Sequence, residues 1–131
     1  MKTEAHYERL ADTCRAIIAS PKVVQFVVGI TTNPTARRQS YRQWVQNHSL
    51  GPGSLDGFVI LDWGYNQEDI RSVEEYLFNA LVDHDNYGVI DTSYKPSVYR
   101  KGPNADSQSI YIAWWSPYLV VSDEFTMDDG E

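Results

Sequence analysis

The stretch from Val27 to Tyr41, VVGITTNPTARRQSY, decides the reading of this chain, because it runs from an apolar strand through a glycine turn into a helix bearing two arginines. Upstream and through it, Val23, Val24, Phe26, Val27, Val28 and Ile30 surround a single polar Gln25, the composition of a largely buried strand. Thr31, Thr32 and Asn33 offer N-cap oxygens and Pro34 suits the first helical position, so a helix is predicted to begin within a residue or two of Pro34. On that helix Arg37 and Tyr41 are four residues apart and share a face. A planar guanidinium beside a phenol, just past a strand end, can hold a phosphodiester and handle a proton. The plainer alternative is an ordinary strand–helix unit with an exposed arginine.

A second helix pattern lies between Asn66 and Asp83. Asn66 is the N-cap, Glu68 and Asp69 fall in the first turn, and Ile70, Val73, Leu77, Phe78 and Leu81 repeat on one face. Glu74 projects into the middle of that apolar stripe, whereas Glu75 turns toward solvent. An unpaired buried carboxylate is costly, so Glu74 requires an arginine, a hydrogen-bond network or a metal as partner. A salt bridge to Arg37, Arg38 or Arg42 and a role as metal ligand both satisfy that requirement.

These residues resemble the GIY-YIG nucleases. In that family a strand ending in YIG leads through a Thr-containing turn to a helix carrying the active-site Arg, often with a His or Tyr four residues later. Val27-Val28-Gly29 stands where YIG would, Thr31 fits the turn, and Arg37 and Tyr41 fall at the two helix positions. The family's metal-binding Glu sits on a later helix in a setting like Leu-Glu-x-x-Leu-Ile, which Val73-Glu74-Glu75-Tyr76-Leu77-Phe78 resembles. Many members also carry an Asn about a dozen residues further on, where Asn86 stands. The resemblance spans roughly residues 16 to 90. It departs at both motif tyrosines: no Gly-Ile-Tyr lies upstream, and Val27 occupies the YIG tyrosine position.

The resemblance implies a divalent-metal-dependent nuclease cleaving nucleic-acid phosphodiester bonds. Glu74 would hold a single Mg²⁺ or Mn²⁺, weakly bound without substrate, and Arg37 would neutralise charge developing on the phosphate. Tyr41 would handle a proton and Asn86 would fix geometry. Arg38 and Arg42 would contact nucleic acid, DNA in preference to RNA. The alternative implied by the missing tyrosines is a catalytically inactive module that binds nucleic acid or a protein partner.

The remaining elements are read from periodicity. His6 to Ala19 carries Tyr7, Leu10, Ala11, Cys14, Ile17 and Ile18 at helical spacing, with a hairpin of Cys14 to Ile18 against Val23 to Ile30 as the weaker alternative. Asn47 to Ser54 reads as a loop, and Gly57 to Trp63 as a buried strand. Tyr87 to Asn104 is expected to be mostly irregular. Ser109 to Trp115 and Tyr118 to Ser122 read as strands. The result is an α+β domain over residues 1–122, a small GIY-YIG-like sheet flanked by helices, with extra C-terminal strands peripheral to it.

Composition bounds the rest. With 131 residues, 42% of them hydrophobic and 13% aromatic, the chain can form one packed domain. Its single cysteine, Cys14, excludes an internal disulfide and suits a cytoplasmic setting. The start MKTEAHYERL is too polar for a secretory signal, and no apolar run suggests a membrane span. The net charge of −7 argues against nucleic acid at first sight. Five of the 18 acids, however, belong to a tail at 123–131 expected to be disordered, leaving 13 against 11 bases. From Thr13 to Leu55 there is no acid at all, while Arg15, Lys22, Arg37, Arg38 and Arg42 fall there, so a basic face is expected. The run Asp83-His84-Asp85-Asn86 reads as a solvated helix end rather than a metal site.

Overall fold

The Thr3 side chain accepts the His6 N–H and so opens the first helix, α1 (Glu4–Ile18), which buries Tyr7, Leu10, Ala11, Cys14 and Ile18 on one face. The computed structural model describes residues 3–48, 55–85 and 107–116. Asn86, the irregular region from Tyr87 to Asn104, the Tyr118–Ser122 strand and the acidic tail lie outside the described residues. After α1 come β1 (Gln25–Thr31), α2 (Pro34–His48), β2 (Leu55–Tyr65), α3 (Gln67–Leu81) and β3 (Gln108–Trp115). The first segment is thus a helix and not an arm of a hairpin. Pro34 occupies the first position of α2 and the Asn33 side chain accepts from Ala36 N–H, as the turn residues predict. Asn47 and His48, expected in a loop, complete α2 instead.

The protein is α+β, with three helices and one three-stranded antiparallel sheet among the described residues. The strand order is β1-β3-β2, so β3 lies at the centre. This corrects the expectation that the C-terminal strands are peripheral. The physical reason is visible in the composition of β3: Ile110, Tyr111, Ile112, Ala113 and Trp115 are all buried, as a strand hydrogen-bonded on both edges and covered on both faces requires. The sequence segment read as a buried strand, Gly57 to Trp63, is instead part of β2, which pairs with β3 on one side and leaves Val59 and Trp63 exposed. An apolar run alone does not distinguish the two situations. Register shifts interrupt β2 at three points, and Gly64 near its end takes φ of 78°, a left-handed conformation that glycine adopts without strain.

Alternation of side chains divides the core into two layers. Val27, Tyr111, Ala113 and Trp115 face α2 and pack with Tyr41 and Val45. Phe26, Ile30, Ile110 and Ile112 face the other way, against α1 and α3. On α3 the Asn66 side chain accepts from Asp69 N–H, and Ile70, Val73, Leu77 and Leu81 form the buried stripe that the periodicity predicts. No helix among the described residues is long and apolar enough to cross a membrane.

Candidate functional site

The site begins with a glycine. In β1, Gly29 lies directly opposite Tyr111 of β3, and a Cβ built on Gly29 would come 2.6 Å from Tyr111 Cζ and 3.1 Å from Cε2. The missing side chain therefore lets the Tyr111 ring lie across β1 toward α2. There its hydroxyl meets the two residues that share a face of that helix. Arg37 Nη1 donates to Tyr111 Oη at 3.4 Å, and the hydroxyls of Tyr41 and Tyr111 are 3.0 Å apart in a shared hydrogen bond. Phe58 of β2 stacks on the Tyr111 ring at a centroid distance of 4.7 Å, while Tyr41 approaches it edge-on at 5.7 Å. Three elements distant in the chain thus hold one phenol in place.

The electrostatics follow from this burial. Tyr111 has its pKa raised, first by desolvation, with the Arg37 charge and the hydrogen bonds from Tyr41 and Arg37 opposing and the Glu74 charge reinforcing the rise. Its hydroxyl is therefore protonated at neutral pH. Arg37 and Glu74 are only 7% and 6% exposed, so both charges act in a largely desolvated setting. Arg37 is consequently not the exposed arginine of an ordinary strand–helix unit.

Each predicted position can now be placed. Arg37 and Tyr41 converge, as their spacing predicts, and they do so on Tyr111. Glu74 is buried within the stripe of α3 while Glu75 is exposed, again as predicted. Arg37 lies on α2 and Glu74 on α3, and both charges act on the Tyr111 hydroxyl, Arg37 lowering and Glu74 raising its pKa. Arg38 and Arg42 point outward, lining a groove between α2 and β2. Asn86 lies outside the described residues. His84 sets its ring edge-on to Phe26 at 5.6 Å.

Tyr111 is the residue that sequence reasoning missed. The resemblance places a tyrosine upstream of β1, whereas the strand pairing with β1 comes from far downstream in the chain. Its only signal was an Ile-Tyr-Ile core within an aromatic-rich strand, which carries no register information. On the opposite side of the sheet Asp62 forms a second polar cluster, paired with His6 Nε2 at 2.7 Å and accepting from the Tyr65 hydroxyl at 2.6 Å. Among the described residues, no three His, Cys, Asp or Glu side chains gather as a ready metal cage.

No family model matches the chain, and neither a curated protein nor a solved structure does so. The functional reading therefore rests on the residues themselves.

Proposed function

We propose that this chain is a divalent-metal-dependent nuclease of GIY-YIG type, hydrolysing phosphodiester bonds in nucleic acid, DNA before RNA. The observation that carries the reading is the buried cluster of Arg37, Tyr41 and Tyr111, with the Glu74 charge acting on the same phenol. Further support comes from the strand order. β3 runs antiparallel to β1 with Tyr111 opposite the glycine of Val27-Val28-Gly29, and in this reading Tyr111 serves from downstream in place of the tyrosine absent upstream.

In this reading Arg37 offers a preorganised cation to charge developing on the phosphate. Tyr111, kept protonated by burial, donates a hydrogen bond and a proton toward the leaving oxygen, and Tyr41 lies one hydrogen bond behind it to restore that proton. A single carboxylate fits a hard ion that retains most of its waters, so Glu74 would hold one Mg²⁺ or Mn²⁺, which when bound polarises the phosphate.

A second reading, an inactive module binding nucleic acid or a protein partner, is favoured by how closed the cluster is. Arg37, Tyr41, Tyr111 and Glu74 are all buried, as a purely structural polar network would be. The two readings separate in one assay. With Mg²⁺ or Mn²⁺, the protein is expected to nick plasmid or cleave structured nucleic acid, and Glu74→Ala to abolish cleavage while retaining binding. Firm binding without cleavage on single-stranded, duplex and branched substrates decides for the inactive module.

A further inference from the structure

We propose that the groove between the outer face of α2 and the start of β2 seats the backbone of a single nucleic-acid strand on its way to the buried cluster. This rests on the nucleic-acid reading above and adds which form of the polymer is recognised and where. The groove offers about 330 Å³, the scale of a small-ligand pocket and too small to enclose a duplex. Arg38 and Arg42 line it one helical turn apart. Both are exposed, and among the described residues neither has a hydrogen-bond or ion-pair partner. Two unpartnered arginines whose backbone positions lie about 6 Å apart along a helix axis can take successive phosphates of one strand.

Beside them the same wall carries Gln39 and Gln43. A primary amide both donates and accepts, which suits base edges, whereas a carboxylate would engage only its N–H donors. The one acid in the lining, Asp56, accepts a hydrogen bond from the Ser116 hydroxyl, which moderates its repulsion of a phosphate. The lining also includes Phe58, whose ring stacks on Tyr111. A strand in the groove is thus one aromatic ring away from the Arg37–Tyr111 cluster.

The test is fluorescence anisotropy of the full chain with a labelled twenty-nucleotide oligo-dT and a hairpin duplex of equal length, in EDTA so that no cleavage intervenes. Oligo-dT is expected to bind more tightly than the duplex. Arg38→Ala with Arg42→Ala should weaken it about tenfold or more and reduce the slope of log K against log salt by about 1.4, the value for two phosphate contacts on a single strand. Gln39→Ala with Gln43→Ala should weaken binding with the salt slope unchanged. All four side chains are exposed, and circular dichroism melts should stay at the wild-type temperature. Wild-type affinity and slope in the double arginine variant would overturn the groove while leaving any Glu74-dependent cleavage intact. Tighter binding of the duplex, or equal competition by polyglutamate, would overturn it as well. If neither oligonucleotide binds, the groove and the nuclease reading fall together.

Discussion

Against α1 and α3 the sheet presents Phe26, Ile30, Ile110 and Ile112 to mainly aliphatic side chains; against α2 it presents Tyr111 and Trp115 to Tyr41 and Arg37, with hydroxyls and a guanidinium inside the same layer. The first face keeps most of its polar groups at the rim, where His6 pairs with Asp62 and the Tyr76 hydroxyl donates to Glu8. Glu74, Gln108 and Tyr65 are buried exceptions. The second face buries its polar groups outright. A core selected for stability alone has no need of them, since a buried polar group costs free energy unless it is fully bonded. The contrast is one of composition: buried hydroxyls and a guanidinium against α2, mainly aliphatic packing against α1 and α3.

Substitutions on the two faces should differ accordingly. On the face toward α1 and α3, Ile112→Ala removes a fully buried side chain from the central strand and is expected to cost about 2–5 kcal/mol in urea unfolding. A loss below about 1 kcal/mol would mean that this layer is not close-packed. Where the two faces share the sheet, Gly29→Ala should cost about 1–3 kcal/mol, because the new methyl group forces the Tyr111 ring to shift. The loss should shrink in a Tyr111→Ala background, which removes the ring the methyl group meets. Additive losses would show that the glycine serves another purpose.

A smaller effect sharpens the aliphatic side. Burial pushes the Cys14 thiol up to about 12 from an ordinary value of 9.0. The folded state therefore keeps this proton where the unfolded chain releases it, so the contribution is fully present below about pH 9 and declines as pH rises toward 12. About 1 kcal/mol of stability should be lost between pH 8 and pH 10 beyond the loss seen in Cys14→Ala. The thiol should also resist disulfide reagents at pH 8 until the protein unfolds. Rapid labelling of the native protein would place Cys14 outside the core.

How much of this was legible in the sequence depended on the range of the interaction. Local signals were read well: the Asn33-Pro34 and Asn66 helix starts, the stripe of α3 and the inward Glu74 all come from spacings of four residues or fewer. Pairing in the sheet was not. Gly29 and Tyr111 meet across most of the chain, and nothing near either residue announces the other. The apolar run in β2 concealed a strand that is at the sheet edge among the described residues for a related reason, because burial depends on which strands lie alongside it. Arg37 shows the middle case. Its face and its companion Tyr41 were legible, whereas its burial against Tyr111 required β3.

The central claim is that Tyr111, from the far end of the chain, belongs to the same chemical unit as Arg37. Its most direct test is the single-turnover cleavage rate of Tyr111→Phe in Mn²⁺, measured beside its melting temperature. The substitution keeps the ring against Gly29 and Phe58 and removes only the hydroxyl, so the expected stability change is about 0.5–1.5 kcal/mol. The expected rate is at least about 100-fold below wild type, the low end for loss of a positioned proton donor. A folded variant that cleaves at the wild-type rate would contradict it.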